Sequence, residues 1–122
     1  MLMLLSGMQA QFYSYKQHVN HANEAFATKN YLEAMTHYEK ALELNDNLDA
    51  VSTLNYADAA FNTYALKVAE TQYKNYLLLN SDDEQHLAQY KLAKLKHLQG
   101  QYAEAVTDYE IYLSEYEKHL FG

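Results

Sequence analysis

Two histidines and a glutamate are the first residues whose types and spacing carry chemistry. His18 and His21 are three residues apart, and Glu24 follows three later. On a helix they share one face, and imidazole and carboxylate at that spacing can ligate a metal ion. Two histidines and a carboxylate on one helix also recur by chance. His37, His86, His97 and His119 are scattered, and no spacing in the sequence brings them together. The sequence has no cysteine, which removes disulfides, thiolate metal sites and cysteine nucleophiles. It has no Gly-rich phosphate loop, no Gly-x-Ser-x-Gly elbow and no HExxH. Its carboxylates fall mostly on the polar faces of amphipathic segments, as a solvated surface requires. These features predict a protein that is not an enzyme and that uses no metal or cofactor.

The elements that position these residues follow from a repeated stripe. Tyr31, Ala34, Tyr38 and Ala41 stand at steps of three, four and three, one face of a helix. Leu66, Ala69, Tyr73 and Tyr76 repeat the spacing, and Tyr102, Ala105, Tyr109 and Tyr112 repeat it again. Upstream of each stripe lies a second one. Ala22, Ala25 and Phe26 recur as Ala57, Ala60 and Phe61; the third copy keeps Ala93 but has Lys96 and His97 in place of Ala and Phe. Self-similarity at this period means stacked helical hairpins.

This pattern resembles the tetratricopeptide repeat, a pair of antiparallel helices. The matching small residues are Ala22, Ala57 and Ala93, then Ala34, Ala69 and Ala105, with the aromatic at Tyr38, Tyr73 and Tyr109. Alanine lets two helix backbones approach, and the ring fills the gap beside it. The sequence departs from the family in having no tryptophan and no proline, and in placing Tyr76 and Tyr112 where Ala41 is small. Its copies are 35 and 36 residues apart (Ala34, Ala69, Ala105), against about 34 in the family. The expected fold is all-α, an α-solenoid of three such hairpins in a right-handed superhelix. The repeats are placed at about 15–47, 48–82 and 83–120. Within a repeat of this kind His18 and His21 face the partner helix, so a structural role is the better reading for both.

The first helix is expected from about Phe12 to Thr28, its partner from beyond the turn at Lys29-Asn30 to Leu44. Asn45-Asp46-Asn47 and Asn80-Ser81-Asp82-Asp83 supply breaks whose side chains can cap the following helix. Asn62-Thr63 marks the second inner turn. Gly100 stands where the fifth helix must end in a left-handed residue, and the last helix runs from Gln101 to about Leu120.

The N-terminal segment reads MLMLLSGMQA before Gln11. Two readings stand: a truncated secretory signal over residues 1–10, with the domain at 11–122, or an apolar extension of the first helix. The ending before Gln11 suits a signal-peptidase cut, and it resembles signal ends of exported Bacteroidetes-type proteins; the basic n-region is missing. With a signal remnant the chain is exported, periplasmic or secreted; otherwise it is cytoplasmic. No apolar run is long enough to span a bilayer. The formal charge is −7, with all nine cationic residues lysine. That balance disfavours nucleic acid and anionic membranes, both of which need a basic face.

The resemblance places a binding groove on the first helix of each hairpin. It implies Lys16, Val19, Asn23, Phe26 and Ala27, then Val51, Leu54, Asp58, Phe61 and Asn62, then Leu87, Tyr90, Lys94, His97 and Leu98. Apolar anchors with polar groups between them suit an extended peptide or a partner helix. One subclass of the family grips chaperone C-termini through a two-carboxylate clamp. Asn23 and Asn55 match it and Lys91 supplies one cation, but Val19 and Leu87 stand where its two lysines belong. With two of three cations gone, most of the attraction for an acidic tail is gone, and the clamp is rejected as the main function. The function expected is a non-catalytic interaction module, within a larger bacterial envelope or secreted assembly. The alternative is a small three-repeat chaperone for a secreted protein. The last helix carries Tyr112, Tyr116 and Leu120 among more apolar residues than one inward stripe can bury. This predicts a weak homodimer through that helix, or further C-terminal repeats that cover it.

Overall fold

The computed structural model describes residues 2–79 and 85–121. Among these there are six helices and no strand: α1 Leu2–Ala27, α2 Tyr31–Leu44, α3 Ala50–Asn62, α4 Leu66–Leu78, α5 Gln85–Leu98 and α6 Tyr102–Phe121. They pair as hairpins α1/α2, α3/α4 and α5/α6. Each hairpin then packs on the next, α2 and α1 against α3, and α4 against α5. This is the expected α-solenoid.

The inner turns show why the repeat forms. Lys29, Tyr64 and Gly100 occupy equivalent places and all have positive φ, 63°, 61° and 78°. After each, a backbone N–H reaches back to close the helix end: Asn30 to the Ala25 carbonyl at 2.7 Å, Ala65 to Ala60 at 2.9 Å, Gln101 to Lys96 at 2.9 Å. This is the Schellman closure, and it explains the left-handed residue at each site. Only the third copy uses glycine, so the first two carry a left-handed cost that a Cβ imposes.

The core is built from the two stripes. Ala22, Ala34, Ala41, Ala57, Ala60, Ala69 and Ala93 are fully buried at helix contacts, and Tyr38 and Tyr73 are buried beside them. The Tyr38 ring stacks 5.2 Å from Tyr56, tying the first hairpin to the second. In the third hairpin the pattern loosens. Tyr109 is only half-buried. Lys96, where the other copies have alanine, is held by Asp108 of α6 at 2.7 Å.

Two boundaries differ from expectation. Helix α1 begins at Leu2, well before Phe12; Gln11 Nε2 donates to the Leu44 carbonyl at 2.9 Å, while Met8, Phe12 and Tyr13 stay exposed. The cap of α3 is Asp49, not the Asn45–Asn47 segment. Its carboxylate accepts the Ser52 N–H at 2.8 Å and the Ser52 hydroxyl at 2.9 Å. Asn45–Asn47 end too far ahead of Ala50 to reach those donors, and the Asn47 carbonyl instead accepts the Tyr15 hydroxyl at 2.6 Å. The break expected at Asn80 to Asp83, with its cap, lies outside the described residues.

Candidate binding face and its polar support

The expected groove residues fall into two groups. The first group is engaged inside the fold. Val19 is 7% exposed and belongs to the first core cluster, so it supports the face from beneath. Phe26 packs on that cluster, with its ring 5.8 Å from Tyr31 across the first turn. Tyr90 turns to α6, its ring 5.1 Å from Tyr112 and 6.1 Å from Tyr109. Phe26 and Tyr90 are thus each engaged by a ring of the second helix of their own hairpin.

Asn23 is the centre of a hydrogen-bond network. Its Oδ1 accepts from the Tyr38 hydroxyl and from Asn55 Nδ2, the latter at 3.2 Å. Its Nδ2 donates to Ser52 Oγ at 3.1 Å, which donates onward to the Asp49 carboxylate. The chain of bonds runs from α2 through α1 to α3 and fixes how the first two hairpins meet. Burial pushes the Tyr38 phenol well above its ordinary value, which keeps it a donor. The second hairpin repeats the arrangement with a charge: Tyr73 donates to the Asp58 carboxylate. Burial, then the charge and the hydrogen bond of Asp58, raise the Tyr73 phenol further. In the third hairpin Lys94 takes the place of Asn23 and Asp58 and has no acceptor to offer. Tyr109 instead lies 3.4 Å from His97 Nδ1, and burial raises its phenol as well. The signal was present in the sequence: Asn23 to Tyr38 and Asp58 to Tyr73 are both 15 residues apart.

The second group reaches the surface around Phe61. Lys91 Nζ sits 4.2 Å from the centroid of that ring and Lys94 Nζ 5.7 Å, both from α5. Each cation lies within reach of the negative ring face. Leu54 is half-buried against the second core cluster. On the same two helices Val51, Leu87 and Leu98 are 67%, 44% and 53% exposed. The arrangement is a surface with apolar contacts and two lysines in a chain whose net charge is −7. A cleft of about 290 Å³ lies elsewhere, lined by Leu42, Leu48, Thr53, Gln72 and Leu78 with others, and includes none of these residues. Such a surface suits a chain-like partner better than an enclosed small molecule.

On α6, Tyr112 is half-buried and stacks 5.8 Å from Tyr116, whereas Tyr116 and Leu120 are exposed with Val106, Ile111 and Leu113. The histidines also differ from expectation. His37 is not isolated: its ring lies 5.2 Å from His18 and 5.0 Å from His21. Among the described residues, no group of three or more His, Cys, Asp or Glu side chains is placed to hold a metal ion. No helix among them is long and apolar enough to cross a membrane.

No protein-family model matches the sequence, and no curated protein matches it. Among solved structures the chain is similar to the Arabidopsis OM64 TPR domain. The TM-score is 0.65 at 20% sequence identity, over 86% of this chain and 84% of that one. The fold is therefore that of a tetratricopeptide-repeat domain, three hairpins in an α-solenoid.

Proposed function

We propose that this chain is a non-catalytic protein-interaction module that holds an extended peptide or a partner helix on the face around Phe61. The observation that carries the reading is the pair of lysines over the Phe61 ring, on helices that also expose Val51 (α3) and Leu87 and Leu98 (α5). Leu54 and Phe61 supply half-buried apolar contact. Lys91 and Lys94 supply cations for an acidic side chain of the partner. Asn23, Asn55 and Asp58 act beneath the face by fixing the helices that carry it. Selection of binders from a random peptide library, with the intact chain as bait, tests the reading. Selected peptides combine apolar residues with an acidic one, and Leu87→Glu or Lys91→Glu with Lys94→Glu releases them while the helical circular dichroism signal stays. Peptides held equally by these folded variants refute the site, and a library that yields no binder refutes the module.

A second surface serves self-association. Tyr116 and Leu120, beside Tyr112, leave an apolar strip on α6. The counterparts of Tyr109 and Tyr112 on α2 and α4, Tyr38 with Ala41 and Tyr73 with Tyr76, are buried where the next hairpin packs, whereas α6 continues past them with Tyr116 and Leu120 exposed.

A further inference from the structure

The first hairpin holds a cluster that the binding face does not use. His18 of α1 and His37 of α2 meet with their Nδ1 atoms 3.0 Å apart and their rings inclined by 30°. A contact this short needs one proton between the two nitrogens: one ring donates and the other offers its lone pair. A metal ion takes the same place as that proton. Two imidazole nitrogens about 2.0–2.1 Å from one divalent ion, at angles of roughly 90–110°, stand about 2.9–3.4 Å apart. The observed separation falls inside this window.

The pair is held in place by the packing of its two helices. Ala22, Ala34 and Tyr38, within four residues of the two histidines along α1 and α2, are fully buried in the core cluster where these helices pack. Both rings are half-exposed, so an ion has access from solvent. His21 lies one turn along α1, with its ring 5.0 Å from that of His37. Of the charges that act on His37, Glu33 attracts a cation and Lys40 opposes it. The donor set is imidazole alone, which suits copper, nickel and zinc ions and not magnesium or calcium.

We propose that His18 and His37 form a two-histidine clip for a divalent transition-metal ion, joining α1 to α2. Small χ2 rotations turn both Nδ1 lone pairs onto the ion, and water completes its coordination. His21 becomes a third ligand when its side chain changes rotamer. The clip is independent of the peptide-binding face and stands or falls without it. An ion that binds the folded hairpin and not the unfolded chain stabilises the fold by mass action.

Isothermal titration of tag-free protein, purified without a metal column, tests the clip with nickel, copper and zinc chlorides. One ion per chain is expected, with a matching rise in the thermal midpoint that EDTA reverses and that magnesium chloride does not produce. His18→Ala and His37→Ala each abolish both effects, and His86→Ala leaves them in place. Circular dichroism of each variant establishes that it folds. No heat and no midpoint shift up to millimolar metal overturns the proposal. So does binding that survives His37→Ala and is lost in His21→Ala, which places the ion on α1 alone.

Discussion

Removing the hydroxyl from the three equivalent tyrosines separates the three hairpins. Tyr73 donates to a carboxylate, Tyr38 to an amide oxygen, and Tyr109 lies 3.4 Å from an imidazole nitrogen. Each Tyr→Phe change keeps the ring and its packing, so the difference reports the hydroxyl. A hydrogen bond to a charged group contributes about 1.5–3 kcal/mol, and one between neutral groups about 0.5–1.5 kcal/mol. Tyr73→Phe should therefore cost roughly 2 kcal/mol and Tyr38→Phe roughly 1 kcal/mol. Tyr109→Phe should cost close to nothing, because its contact is long and its ring half-exposed. Urea unfolding followed by circular dichroism reads the order. A second arm isolates the charge: in an Asp58→Asn background, Tyr73→Phe should cost no more than Tyr38→Phe does. Equal costs at all three tyrosines, or the largest at Tyr109, would refute the reasoning. They would mean that ring packing, and not the Asn23 and Asp58 acceptors, sets the stability of these hairpins.

Tyr64 is left-handed and 78% exposed, so Tyr64→Gly removes strain with little packing lost. A gain of about 0.5–1 kcal/mol is expected, and a lower urea midpoint would contradict it. His37 is held below its ordinary value by burial first, then by His21, His18 and Lys40, with Glu33 opposing. The unfolded chain thus binds its proton more readily than the folded one. The stability from the neutral ring is fully present above the ordinary histidine value of about 6.5 and is lost as pH falls from there through the lower folded value. Thermal midpoints measured with EDTA should drop from pH 7.5 to pH 5.5, and by less in His37→Gln; identical drops would clear His37 of the effect. Light scattering after gel filtration should show a dimer at high concentration, and Tyr116→Asp with Leu120→Asp a monomer. A wild-type chain that is monomeric at millimolar concentration would reject pairing through α6.

The architecture was legible because one residue choice repeats with one spacing. Ala34, Ala69 and Ala105 announce a close helix contact three times, and all three are buried. Gly100 announced its own left-handed turn; Lys29 and Tyr64, which do the same work, did not, because nothing in a lysine or tyrosine signals positive φ. The face was less legible. Position in the repeat identifies the side of a helix, but it cannot say whether a side chain is taken by a neighbour. Asn23 and Tyr90 lie on the expected side and are engaged by Tyr38 and Tyr112. The His18–His37 pair was hidden for a related reason. Its members are 19 residues apart, on two helices, and only the packing of α1 on α2 sets their register.

The departures from the repeat gather in the third hairpin, and they connect. Lys94 replaces the acceptor that Asn23 and Asp58 provide, so Tyr109 loses its partner and moves out to half-burial beside His97. His97 replaces Phe26 and Phe61, and Lys96 replaces an alanine and needs Asp108 to hold it. Each change makes α5 a poorer core helix and a more polar one. The lysines of this helix then lie over the Phe61 ring of the hairpin before it. A protein that breaks its own local rules in one place, while keeping them in the two copies beside it, trades packing for chemistry there. The regular hairpins build the frame, and α5 brings the cations of the proposed binding face to its surface.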